Sequence, residues 1–366
     1  MSTAGSHAVP PWMPDEGSQN ALRDNKTTYR DGNLALVVGA GVTMNSLAVP
    51  PWMPDEGSQN ALRDIKTAYR DGNLVLVVGA GVTMNSLASS QKQVPQDVKD
   101  RLTWPGLLRH GLAYVKEVKG DLNHLSFLEK KRFNSYESAL QDNTSDLTTD
   151  DLIDIAGLFK KSLGQDQLPN WLERCFRRLY PDYIQGETIG VLQAIQALRF
   201  GGARIMTTNY DDTIERFCGT RAVLPQNDID MAEFVHGGQD GDIPGVLHVH
   251  GHWKDARNAV LDVVDYHQTT SDEPLQEVLQ QMFNSTEVLI FVGTGDGLND
   301  PNFGGLLRWA KEKLQNQANR HFVLMKDGDT STNRAVVSPV FYGRQHSDLA
   351  PFLQAIADSK VVYEGP

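Results

Sequence analysis

LVLVVGAGVTMNS, residues 74–86, is an unbroken apolar run that halts at Gly-Ala-Gly and continues into Val-Thr. Five Leu and Val residues without a polar interruption suit a strand buried on both faces, the glycines a tight turn, and the residues after them the start of a helix. Almost the same text stands at 34–46. Residues 8–47 and 48–87 are one 40-residue sequence written twice with three differences, Asn25 for Ile65, Thr28 for Ala68 and Ala35 for Val75. The first copy runs into Pro50-Pro51, which would break a helix opened by Gly39-Ala-Gly41. The second runs on to a stripe of Leu107, Leu108, Leu112 and Val115 at helical spacing. The second copy is therefore expected in the fold. Residues 1–47 are expected to be a duplicated leader, appended, disordered or paired with a sheet edge or another subunit, and 48–366 a single catalytic domain.

The chain has 366 residues, 40% of them hydrophobic and 22% charged, with a formal charge of -12. Such a composition belongs to a globular domain with a full core. The acidic balance argues against direct nucleic-acid binding, which needs a concentrated basic face. No apolar stretch reaches about 18 residues, the length of a membrane-spanning helix. The N-terminal residues lack the basic and apolar regions of a secretory signal. Two cysteines, Cys175 and Cys218, make no disulfide framework and point to a cytoplasmic or nuclear setting. Nor can they form a four-thiolate zinc site.

Beyond the second copy, about 110–185 reads as a helical insertion, with Thr148-Thr-Asp-Asp151 as cap candidates for a helix to Leu163. Helix and strand then alternate. Helical stripes at Glu187–Leu198, Leu275–Phe283, Phe303–Leu314 and Leu349–Ile356 separate candidate strands at Ala203–Met206, Val246–Val249, Ala259–Val264, Glu287–Val292 and His321–Met325, while 219–243 reads as loop. The expected fold is α/β, a Rossmann-like, mostly parallel sheet with helices on both faces. Ligands of such sheets sit at the carboxyl ends of the strands, where four polar crests fall: 79–83, 207–212, 250–253 and 293–300.

The crests have definable chemistry. Gly79-Ala-Gly81 lacks the third glycine of the dinucleotide fingerprint, since position 84 is Met, but a glycine turn feeding a helix N-terminus can still face a diphosphate. Gly293-x-Gly295-x-Gly297 is a second such turn. No Gly-Lys-Ser/Thr phosphate loop is present, which argues against phosphoryl transfer. Asn209 has an amide able to bind a ribose hydroxyl or position a water; it could equally form an Asx-turn capping the next helix. His250 suits acid–base work or substrate orientation, with His248 as a supporting or core residue. His248, His250 and His252 at strand spacing are weak evidence for a metal, and none is expected. Asp211, Asp212, Asp262 and Asp265 could orient a histidine, contact ribose or cap turns.

Taken in order, Gly79-Ala-Gly-Val-Thr83, Thr207-Thr-Asn-Tyr-Asp211, His250-Gly251 and Gly293-Thr-Gly295 resemble the motif series of the SIR2 superfamily. VLHVHGHW, VLDVVDYHQ and VLIFVGTGDGLNDPNF are similar to its divergent branch of bacterial antiphage effectors and vertebrate SIR2 antiphage-like proteins. The resemblance spans roughly 70–360. It implies that NAD is the substrate, with Asn209 and His250 acting at the nicotinamide ribose. It also implies Gly79, Ala80, Gly81 and Thr83 around the diphosphate, Gly293, Thr294 and Gly295 at the adenosine half, and Asp211 among the cofactor-binding residues. The implied activity is NAD hydrolysis to nicotinamide and ADP-ribose in a defence or stress response, by a homo-oligomer or filament that is switched on by assembly. The four-cysteine zinc module of the protein deacylases is missing, which weighs against an acyl-lysine substrate. Deacylation, ADP-ribosyl transfer and non-catalytic NAD or ADP-ribose sensing are the alternatives.

Overall fold

The computed structural model describes residues 56–120, 122–141, 147–236, 243–285, 287–295, 320–329 and 337–360. The first copy of the repeat, the third glycine at 297, the helix expected at 303–314 and the first residues of the second copy lie outside them.

The second copy supplies the middle of a parallel sheet. Its apolar run forms β1, Leu74–Val78, with every residue buried. The other strands are β2 Arg204–Thr207, β3 Ala222–Val223, β4 Val246–His248, β5 Val288–Val292, β6 Phe322–Lys326 and β7 Ser338–Gly343. Their spatial order is β3-β4-β2-β1-β5-β6-β7, and all pairs are parallel. β1 aligns Val75 with Arg204 of β2 on one side and Leu74 with Val288 of β5 on the other.

Alternation along β1 divides the core in two. Leu74, Leu76 and Val78 join one apolar cluster, which takes in helices Glu56–Arg70, Gly190–Phe200 and Leu349–Ala357. Val75 and Val77 join the other, with Met231 and Phe234 of helix Asp228–His236 and Leu275, Leu279 and Met282 of helix Glu273–Asn284. A strand with two dry faces has no polar position, which explains the uninterrupted LVLVV.

Among the described residues, helices Trp104–Lys119, Phe127–Gln141, Thr149–Leu163, Leu168–Phe176 and Leu179–Tyr183 form the insertion between β1 and β2. Thr148 opens the third with a capping box, its side chain accepting from the Asp151 amide while the Asp151 carboxylate takes the Thr148 amide. Gly111 lets helix Trp104–Lys119 meet the Phe159 ring, which a Cβ there would approach to 2.8 Å. Phe159 in turn packs on Trp171 with ring centroids 4.5 Å apart.

Three local expectations change. Ala259–Val264 is not a strand: Asp262 caps helix Val263–Ser271, accepting from the Val264 and Asp265 amides, and Asp265 returns the bond to the Asp262 amide. That reciprocal cap outweighs the strand preference of the valines. The loop expected over 219–243 contains β3 and helix Asp228–His236. β7 is an additional strand; it carries Pro339 and stands last in the sheet order, where a missing amide donor is tolerated.

The strand order reverses between β1 and β5. The chain steps outward from β1 through β2 and β4 on one side and from β5 through β6 and β7 on the other. The carboxyl ends of β1 and β5, which carry Gly79 and Gly293, flank that switch point, the place where open α/β sheets bind ligands.

Candidate functional site

The two glycine turns interlock. The Gly79 amide donates to the Val292 carbonyl at 2.9 Å and the Gly81 amide to the Gly293 carbonyl at 2.8 Å. A Cβ on Gly79 would stand 2.6 Å from the Gly293 oxygen and one on Gly81 2.7 Å from it. Gly293 has φ +65, and a Cβ there would meet the Val82 nitrogen at 2.7 Å. Close backbone approach is therefore what these glycines supply, since the amides of Gly79 and Gly81 are already engaged. Helix Ala80–Ser89 starts at this contact, with no side-chain cap from Gly79, so its positive end lies at the switch point. Beside it, the Thr294 hydroxyl is buried without a partner, while Gly295, φ +50, is exposed.

Thr83, one turn into that helix, reaches the second crest. Its buried hydroxyl donates to Asp211 at 3.1 Å to Oδ2 and 3.3 Å to Oδ1, and accepts from Asn209 Nδ2 at 3.3 Å. The Asn209 amide nitrogen donates to Thr207 Oγ1 at 3.0 Å, and Thr207 Oγ1 to the Val78 carbonyl at 2.9 Å. Asn209 is thus tied to β1 through its backbone and to helix Ala80–Ser89 through its side chain. An ionised carboxylate only accepts, so Asp211 fixes the direction of the Thr83 O–H, and Thr83 in turn fixes the orientation of the Asn209 amide. Asn209 Oδ1 takes no part in this network. Burial pushes the Asp211 carboxyl up to about 6, against hydrogen bonds from Thr213 that favour ionisation. The Asx-turn expected of Asn209 belongs to Asp211, whose Oδ1 accepts from the Thr213 amide at 3.0 Å.

The three histidines part company because β4 ends at His248. Val249 donates to the Thr207 carbonyl at 3.1 Å, and Gly251 turns the chain with φ +81 against Asn258 and Ala259, where a side chain has no room. His250 lies buried on this turn, its carbonyl accepting from Val260 at 2.9 Å and its ring edge-on to Tyr266 at 5.8 Å. Tyr210 ties the second and third crests together: its hydroxyl donates to the Val260 carbonyl at 2.6 Å and its carbonyl accepts from Trp253 at 2.9 Å. His248 is fully buried between the Asn209 carbonyl and Glu215, as a supporting residue. Burial, then the neighbouring His248, pulls His252 down to about 3, and its Nδ1 accepts from the Lys254 amide at 3.1 Å.

The other acids have structural partners. Asp212 pairs with Arg216 at 2.9 Å and Lys254 at 3.0 Å; burial would raise its pKa, and these cations reverse the effect. Asp262 and Asp265 cap a helix and both hold Lys160, at 3.1 and 2.6 Å. Cys175 and His110, 3.5 Å apart in the insertion, look like a nucleophile and base. Burial pushes the thiol up to about 12 and the imidazole down to about 4, which disfavours a thiolate–imidazolium pair near neutrality. Among the described residues no group of three His, Cys, Asp or Glu is placed to hold a metal ion.

Two adjoining cavities of about 530 and 210 Å³ share Arg257, Asp265 and Gln268 as a wall. The larger opens beside Lys160 of the insertion and the smaller against Val249 and Gly251. Neither is lined by the glycine turns, Asn209 or His250; the smaller adjoins the His250 turn through Val249 and Gly251.

Residues 203–339 match the SIR2-like domain family. The matched stretch, about a third of the chain, contains Asn209, Asp211, His250 and the 293–295 turn. The 79–83 turn and Thr83, which complete the network around Asn209, precede the matched stretch. The chain is also 25% identical over 148 residues to defense-associated sirtuin 2 of Bacillus subtilis; the match covers 38% of this chain and 14% of that protein's length. No helix among the described residues is long and apolar enough to cross a membrane.

Sequence reading alone passed over Glu215 and Tyr210. Glu215 had a signal, an acid amid the apolar residues of Thr213–Cys218 that ends up buried. Tyr210 had none, because its role depends on two backbone partners distant in sequence.

Proposed function

We propose that this chain is an NAD glycohydrolase, cleaving NAD to nicotinamide and ADP-ribose. The observation that supports the reading is the link from Asn209 through Thr83 to Asp211, which ties an oriented amide to the helix that starts at the switch point, in a sheet whose residues 203–339 match the SIR2-like family. A dinucleotide there would lay its diphosphate by the helix start and glycine turns, with the unpartnered Thr294 hydroxyl nearby, and its nicotinamide ribose toward Asn209 and His250.

The reaction breaks the bond between ribose C1′ and the nicotinamide nitrogen. The bonding pair leaves with nicotinamide, water adds to C1′, and its proton goes to solvent. The transition state resembles an oxocarbenium ion, so a fixed amide oxygen and an imidazole that hold the ribose hydroxyls and the water stabilise it by orientation and electrostatics. Asn209 Oδ1 is the group left available by the Thr83 network. The chain's own residues suffice for this chemistry without a metal.

We propose further that turnover depends on assembly of identical subunits, as the resemblance to defence effectors implies. Nicotinamide and ADP-ribose released from NAD, rising per chain with protein concentration, is the expected result. No free nicotinamide from the largest oligomer contradicts the reading. One observation favours a second reading, in which an acceptor replaces water: the cavity pair beside the His250 turn. O-acyl-ADP-ribose or ADP-ribosylated protein among the products would select deacylation or transfer.

A further inference from the structure

His248 and Glu215 form a buried ion pair that the chemistry above does not use. His248 Nδ1 lies 2.9 Å from the Asn209 carbonyl oxygen, and Nε2 meets Glu215 Oε1. The carbonyl only accepts, and so does Glu215 when it is a carboxylate. A neutral imidazole donates through only one nitrogen, so satisfying both requires the imidazolium. Burial alone would lower the His248 pKa; the Glu215 carboxylate and the Asn209 carbonyl reverse this and raise it. The titratable groups around the ring are Glu215 from helix Thr213–Cys218, Asp211 from the turn before it, and His252, edge-on at 4.8 Å and itself held neutral. Glu215 Oε2 is buried without a partner, so the carboxylate is committed to the imidazole.

The position of the pair matters more than its strength. Asn209 is held at its amide nitrogen by Thr207, at its side chain by Thr83 and at its carbonyl by His248. His248 is also the last residue of β4, two before His250. One ring therefore connects the end of β4, which leads into the His250 turn, to the turn that carries Asn209.

We propose that the His248–Glu215 pair is a positioning device, a doubly donating imidazolium that sets the angle of the Asn209 turn relative to His250. Its catalytic consequence rests on the NAD-cleaving reading; its protonation state does not. A buried pair can be replaced by apolar residues of similar volume and the fold retained, so two double variants separate positioning from packing. H248L/E215L leaves the Asn209 carbonyl without a donor. H248Q/E215Q restores a neutral donor.

The leucine pair is expected to bind NAD within about threefold of wild type while kcat falls about tenfold to a hundredfold, the effect of a misplaced group rather than lost ground-state binding. The glutamine pair is expected to recover part of that loss. Wild-type kcat in a folded leucine pair would overturn the proposal. If the unaltered chain releases no nicotinamide, the NAD-cleaving reading fails, and nitrogen-15 NMR of the histidine rings then decides the pair independently. Two protonated ring nitrogens on His248 near pH 7, reduced to one in E215Q, support it; one in the unaltered chain refutes it.

Discussion

The two copies of the 40-residue repeat are the same in every residue of the glycine turn and differ only where a core would register the change. In the second copy Ile65 and Val75 have no exposed surface and Ala68 only 7%. The first copy has Asn25, Thr28 and Ala35 at those places: an amide for a buried aliphatic chain, a hydroxyl for a methyl, and a smaller side chain in the central strand. The motif Gly-Ala-Gly-Val-Thr therefore does not distinguish the copies, whereas the residues at these three positions do. A phosphate-turn motif marks a site only when the strand and helix around it fit the sheet.

Exchanging matched residues between the copies tests that comparison. The largest effect is expected from Ile65→Asn, which removes a buried aliphatic side chain and leaves an amide without partners; denaturant unfolding should show a loss of about 4 kcal/mol. Asn25→Ile should leave the midpoint unchanged. Next comes Gly81→Ala, whose Cβ would press on the Gly293 backbone at 2.7 Å, where neither side is a flexible side chain. A cost of about 3 kcal/mol and loss of NAD turnover are expected, against no change for Gly41→Ala. Val75→Ala, measured by the same unfolding curves, should cost about 2 kcal/mol.

The smallest effect separates site from scaffold. Thr83→Val should slow turnover about tenfold, equivalent to about 1.4 kcal/mol, because it cuts Asn209 from Asp211; Thr43→Val should not. The Asp211 carboxyl, raised to about 6 by burial, also predicts an acid limb in the turnover profile near pH 6, absent in Thr83→Val. Stability should respond with the opposite sign. The folded pKa lies above the ordinary aspartate value of 3.8, so the fold binds this proton more tightly than the unfolded chain. As pH falls through about 6 toward 3.8, this group stabilises the fold. Activity that falls with pH together with a stability loss traced to Asp211 would contradict the assignment.

Much of the scaffold is legible along the chain. LVLVV announces a doubly buried strand, and the alternation of apolar runs with helical stripes announces a parallel sheet. What escapes is settled by distant partners. The glycines of 79–81 read as a phosphate cradle, yet their tight fit is against Gly293, more than 200 residues away. Thr83 reads as part of the same loop, while its hydrogen bonds join Asn209 and Asp211. Ala259–Val264 reads as a strand from its apolar content, although Asp262 and Asp265 already held the spacing of a reciprocal cap. Asn209 and His250 read as a pair only through the order of the motifs, and His248 beneath Asn209 reads only as a supporting or core residue.

The most direct test of the central account is NAD turnover and NAD affinity measured side by side on the unaltered chain, Asn209→Ala and His250→Ala. The account predicts nicotinamide release by the unaltered protein, a fall of at least about a hundredfold in kcat for each variant, and NAD affinity within a few-fold of the original. Equal turnover in all three proteins, or none in the unaltered protein in its largest oligomer, would contradict it.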